Sequence, residues 1–175
     1  MSDSTGPSLQ ERYAPRSICF GCGPANEKGL RIRSFPDGDG LVATWTPEPH
    51  HQAFDGAVNG GIIGSLFDCH CNWTAAWRLM QDAGAPDLPS TVTAEFHVRF
   101  RRPTPSGQPL TMRSRIVEAR GDRATVEATL ESGGVVCAAG GGTFVVVGPD
   151  HPAYHRWGDA ATGPDAQAPS SLNSV

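Results

Sequence analysis

A single change of hydrophobic period restricts what this chain can fold into more than any other feature. Between Asn59 and Met80, the apolar residues Ile62, Leu66, Cys69, Trp73, Trp77 and Met80 recur every three or four positions, the spacing of one stripe along a helix. From Ser90 the period is two. Val92, Ala94, Phe96, Val98 and Phe100 alternate with Thr93, Glu95, His97, Arg99 and Arg101, which predicts a strand with one buried and one polar face. Asn59 suits the helix N-cap because its side chain can accept an N–H from the first turn, and Gly84 with Pro86 supplies the stop.

The remaining apolar runs are short and separated by turn residues. Residues 30–35 and 41–46 flank Asp37-Gly38-Asp39-Gly40, a hairpin signal, and Pro47 and Pro49 lead into a loop over 50–58. Pro103 to Gly107 makes a turn. Residues 110–119, 124–130 and 135–147 then read as three more strands, joined by Gly121-Asp122 and Ser132-Gly133-Gly134. The expected order is two strands, one long helix and a four-stranded meander. A six-stranded antiparallel sheet must cover its apolar face, and the helix is the only long element available, so an α+β fold with the sheet wrapped around that helix is predicted. With 21 Gly and 15 Pro among 175 residues, a helical bundle is excluded. Residues 1–15 and 149–175, poor in apolar side chains, are expected as tails around a domain over 16–148, with the aromatic stretch Tyr154 to Trp157 able to anchor on the body or on a partner subunit.

Charge and cysteine content narrow the partners. The formal charge is -4, which does not advertise nucleic acid. No run reaches the roughly 18 apolar residues of a membrane span, and the start is polar without a signal pattern, so a cytoplasmic protein with no membrane association is expected. Five cysteines are too few and irregular for a disulfide framework, and reduced thiols are expected. Residues 99–123 nevertheless hold seven arginines against Glu118 and Asp122, a local charge of +5. Such a patch suits a small polyanion; the plainer reading is a solvated strand face.

Steps of three, four and seven place Gly61, Gly64, Ser65, Asp68, Asn72 and Ala75 on a second helix stripe, small and polar, with one carboxylate. The first-turn N–H groups of Gly60 and Gly61 lack intrahelical acceptors and carry the positive end of the helix dipole, so they can polarise a carbonyl. Asp68 follows two turns later, roughly 10 Å away, room for one thioester group and a water. It can act as general base or nucleophile; the alternative is an ordinary solvated helix carboxylate. No Gly-x-Ser-x-Gly nucleophile elbow occurs. Cys19-x-x-Cys22 has the spacing of half a zinc knuckle, but Cys69 and Cys71 point about 200° apart on a helix and cannot grip one ion together. His50 and His51 are the substitutes, CxxC alone is a weak signal, and no metal is expected. His70 reads as a satisfied core or interface residue, and Gly140-Gly141-Gly142 as a bulge or close backbone contact.

The run from His51-Gln52 through Asp55-Gly56-Ala57-Val58-Asn59-Gly60-Gly61 to Asp68, with Thr93 to Pro103 in the next strand, resembles the hotdog-fold acyl-CoA thioesterases of the PaaI-like, phenylacetate-catabolism type. Cys19-Phe20-Gly21-Cys22-Gly23, with Asn26 and Gly29-Leu30, is similar to the amino-terminal signature of one branch of that family. The resemblance implies hydrolysis of an acyl-CoA to free acid and CoA in a homodimer or homotetramer, without a cofactor. Asp68 would be the catalytic carboxylate, Gly60 or Gly61 the oxyanion donor, Thr93 a water-orienting hydroxyl contributed by a partner subunit, and Gln52 an amide near the nucleophile. Strict alternation turns Thr93 away from its own helix, so it serves only across a dimer interface or if the strand is bulged. Asn59 stands where the family usually has His; it can cap and donate but not titrate near neutrality. Arg99, Arg101 and Arg102, or Arg113 and Arg115, would clamp the phosphates of CoA. His51 and Trp73 would contact substrate, Trp73 alternatively serving as core. A non-catalytic acyl-CoA or small-ligand module on the same fold is the second reading, and a hotdog dehydratase, which wants a titrating His, the third.

Overall fold

The structure, a computed structural model, describes residues 6–157. After a short helix α1 (Leu9–Tyr13), strands β1 (Ser34–Asp37) and β2 (Gly40–Trp45) form the expected hairpin. Its turn is closed by two residues, with Gly38 at φ +62°. The stretch expected as a loop contains a small hairpin, β3 (Gln52–Phe54) with β4 (Ala57–Val58). Helix α2 (Gly60–Asp82) follows, and then β5 (Thr91–Phe100), β6 (Leu110–Arg120), β7 (Arg123–Ser132) and β8 (Val135–Val146).

The main sheet is antiparallel, in the order β1-β2-β6-β7-β8-β5. The meander is therefore β6-β7-β8 alone, and β5 crosses to the far edge to pair with β8. Across from Phe96, His97 and Val98 stand Gly142, Gly141 and Gly140. A Cβ at Gly140 would lie 2.2 Å from the His97 carbonyl oxygen and one at Gly141 2.1 Å from that of Val126, so these strands approach closer than any side chain allows.

Helix α2 packs across β2 and β5 to β8, and every residue from Cys69 to Ala76 is buried. Leu66, Phe67 and Trp73 of the helix meet Leu41, Leu110, Met112, Val126, Leu130 and Phe144 of the sheet. Burial of large apolar side chains contributes roughly 1.5–3 kcal/mol each. Among the described residues the buried polar side-chain atoms are paired, Trp73 Nε1 and Thr104 Oγ1 excepted. His70 Nε2 donates to the Leu41 carbonyl at 3.2 Å, leaving Nδ1 to accept from Ser34 Oγ at 2.9 Å. Gln10 continues this chain, donating to Ser34 Oγ and accepting its N–H at 2.8 Å.

That contact corrects the expected amino-terminal tail. Ser8 caps α1 through a reciprocal box with Glu11, and Leu9, Gln10 and Ala14 are buried, because Leu9 and Ala14 join the apolar core while Gln10 finds its partners there. At the other end, the Trp157 ring lies 4.5 Å from that of Trp73 and its Nε1 donates to the Pro89 carbonyl. The anchor expected of Tyr154 to Trp157 thus holds. The rest of the expected carboxy-terminal tail, 158–175, lies outside the described residues. Among the described residues no helix is long and apolar enough to cross a membrane.

Candidate active site

Asn59 caps α2 as its sequence predicts, its Oδ1 accepting the Gly61 N–H at 2.7 Å. This corrects one expectation. The Gly61 donor is already used by the cap, so the electrophilic end of the helix is presented through the Gly60 N–H. Ile63 donates back to the Asn59 carbonyl at 3.1 Å, closing the first turn.

The small polar stripe of α2 faces β5. Thr91 Oγ1 donates to Asn72 Oδ1 at 2.5 Å, and Thr93 Oγ1 to Asp68 Oδ1 at 2.6 Å. Further toward the helix start, the Phe96 ring approaches Gly64 and the Phe100 ring Gly60. One helical turn back from Asn72 to Asp68 is about 6 Å, and two strand residues about 6.6 Å, so the two pairs keep step. Strict alternation would turn Thr93 away from its own helix. A bulge between Thr93 and Glu95 removes the contradiction: the extra residue, Ala94, is exposed, and the chain changes face there. Thr91 and Thr93 point at α2 before the bulge, Phe96 and Phe100 after it. The hydroxyl expected from a partner subunit is therefore bonded to the carboxylate of its own chain.

The expected buried face of β5 is correspondingly corrected. Phe96 is 46% and Phe100 57% exposed, since β5 is an edge strand and none of the described elements covers them. Phe54, Val58, Gly60, Ile63 and Phe100 line a groove of about 380 Å³ that Arg101 and Arg102 also reach. Asp68, half-buried beneath β5, is not among its lining residues. Ile63 was not singled out by sequence, whereas Phe54 was readable as a residue that could shape an acyl pocket; the β3-β4 hairpin that brings Phe54 here lies in a stretch with no clear strand signal.

Other expected site residues take different places. Gln52 Oε1 accepts the Gly56 N–H at 3.1 Å and so steadies the β3-β4 turn. His51 is buried, and its Nδ1 accepts the Glu48 N–H at 2.9 Å while the ring rests on Trp45. Burial first, and then the charge of His50, hold its pKa below the ordinary imidazole value. Trp73 is fully buried against Trp157, which makes it core rather than an open substrate wall. The arginines divide between two faces. Ser114 points inward, its Oγ 2.6 Å from Thr74 Oγ1 of the helix, so its neighbours Arg113 and Arg115 point outward. Arg99, Arg101, Arg113, Arg115 and His97 line an outer-face groove of about 460 Å³. Within it Arg115 pairs with Glu127 at 2.5 Å, and Arg113 pairs with Asp37. Only Arg101 and Arg102 reach the groove at Gly60.

An antiparallel sheet wrapped on one long helix, with a carboxylate two turns from the Gly60 N–H at the helix start, defines a hotdog-fold protein. The comparisons place it further. Residues 55–139 match the family model of the thioesterase superfamily. A thioesterase superfamily protein from Shewanella loihica is 31% identical, over 71% of this chain and 98% of that one, with a TM-score of 0.58. The chain belongs to the thioesterase superfamily. At lower identity the fold is shared with the E. coli PaaI protein of the phenylacetic acid degradation operon (19% identity, 71% of this chain and 85% of that one, TM-score 0.56). It is shared also with a hypothetical thioesterase from Streptococcus pneumoniae solved with coenzyme A (16%, 67% and 86%, TM-score 0.57). Among curated proteins no match was found.

Proposed function

We propose that this protein hydrolyses an acyl-CoA thioester. The observation that carries the reading is the Thr93–Asp68 hydrogen bond on the α2 stripe that begins at the Gly60 N–H. Thr93 occupies one carboxylate oxygen and fixes the rotamer, leaving the other oxygen to accept a proton from water. The water oxygen attacks the thioester carbonyl carbon, the Gly60 N–H stabilises the oxyanion, and collapse expels the CoA thiolate, which takes up a proton. Attack by Asp68 itself, followed by hydrolysis of the mixed anhydride, uses the same atoms. Gln52 and Asn59 act by holding the β3-β4 turn and the helix start. Arg101 and Arg102 are the arginines placed to meet CoA phosphates from the Gly60 groove. The bare edge of β5, with Phe96 and Phe100 beside it, supports a homodimer as the working unit. The structure solved with coenzyme A within the same fold favours this substrate class over other thioesters.

The test is thiol release over a panel of acyl-CoAs. Asp68→Asn is expected to lose at least about a hundredfold in turnover, and Thr93→Val about tenfold, with unchanged circular dichroism. Full activity in Asp68→Asn removes the carboxylate from the mechanism. Tight binding with no release from any acyl-CoA assigns the protein to the non-catalytic module instead.

A further inference from the structure

The segment between α1 and β1 brings two thiols against a third on the helix. Cys19, Cys22 and Cys69 have sulfurs all within 4.8 Å of one another, with Cys19 and Cys69 at 3.7 Å. We propose that these three cysteines bind one zinc ion, which fastens the amino-terminal segment to the central helix. The inference stands apart from the hydrolase reading.

The Cys19–Cys69 spacing is that of two corners of a coordination tetrahedron, and Cys22 lies within reach of a third. At a Zn–S distance of about 2.3 Å, tetrahedral geometry sets neighbouring sulfurs about 3.8 Å apart, whereas a disulfide needs about 2.05 Å. The local backbone is wound for the purpose. Gly23 N–H donates to the Cys19 carbonyl at 2.8 Å, and the N–H groups of Gly21 and Cys22 are directed at the Cys19 sulfur. A Cβ on Gly21 would stand 2.4 Å from Cys69 Sγ, so glycine there admits the helix thiol. Cys71 remains on another side of α2, as its spacing demands.

Trp73 provides an independent observation. It lies one turn beyond Cys69, is fully buried, and its Nε1–H has no hydrogen-bond partner. It faces Cys22 without closing a hydrogen bond to the thiol. Toward a neutral thiol it is nearly wasted; toward a metal-bound thiolate it becomes a charge-assisted donor of the kind that surrounds metal sites. An all-sulfur set selects a thiophilic ion. Cys19 is the one partly exposed member, so the fourth corner opens to solvent. Asp68 directly precedes Cys69, and the ion would thereby fix the helix where that carboxylate meets Thr93.

The full chain, purified under reductant without chelator and incubated with one equivalent of zinc before desalting, is assayed for metal by mass spectrometry. About one zinc per chain is expected, falling at least about tenfold in Cys22→Ser and Cys69→Ser and unchanged in Cys71→Ser and Cys137→Ser. Cobalt exchange should give thiolate-to-metal charge-transfer absorption. Should Cys69→Ser fail to fold, Trp73→Phe, which keeps all three sulfurs, should lose zinc to chelator at least about tenfold faster than the parent protein. A parent protein that retains no zinc and shows no charge-transfer band overturns the proposal. So does a Cys22→Ser variant that binds zinc as the parent does.

Discussion

His70 shows how one side chain ties several elements together and what that costs at low pH. It is wholly enclosed, donating to Leu41 and accepting from Ser34, and burial lowers its pKa to about 4. The unfolded imidazole titrates near 6.5. Between these values the unfolded chain binds the extra proton, so stability falls as pH drops from about 6.5 to about 4, by at most about 1.4 kcal/mol per unit, and is fully present above 6.5. Urea midpoints measured across that range should decline for the parent protein. His70→Gln should decline less steeply, by up to one proton. His70 was readable from sequence as a satisfied core histidine. Its partners were not, because Gln10 sits in a segment whose composition resembles a tail and whose two apolar anchors show only when the core is assembled.

Among the elements, α2 was legible almost to its ends, because a long amphipathic pattern, an N-cap Asn and a stopping Gly all agree. The β5 strand was legible as a strand but not in its facing. Alternation counts residues, and the bulge at Ala94 adds one that no propensity marks; Thr93 reaches Asp68 only because of it. Nor does sequence reveal that β5 pairs with β8, since pairing order is decided by which strands fit together. The three glycines of β8 were the available clue to close approach. They make a prediction about the sheet. Gly141→Ala places a methyl 2.1 Å from the Val126 oxygen and should lower the melting temperature by about 5 °C or more, at 2–4 °C per kcal/mol. Gly64→Ala, whose new Cβ would sit 3.9 Å from the Phe96 ring, should leave it within about 2 °C. Calorimetry on the two variants separates packing at a backbone from packing at a side chain.

For the whole molecule, the sheet is closed by the hairpin β1-β2 on one side and ends in β5 on the other. The exposed rings of Phe96 and Phe100 flank that second border. A second copy joined there would cover them and the groove at Gly60 together. Light scattering should report a dimer for the parent protein and a monomer for the double variant Phe96→Asp, Phe100→Asp; a monomeric parent protein would count against the paired unit. The basic outer face lies across the sheet from Gly60, so its arginines are divided between two surfaces that one linear sequence ran together. An unpaired strand border also has a thermodynamic signature. When association shields it, the folded state gains free energy by mass action, so the temperature at which this protein melts should climb as its own concentration is raised.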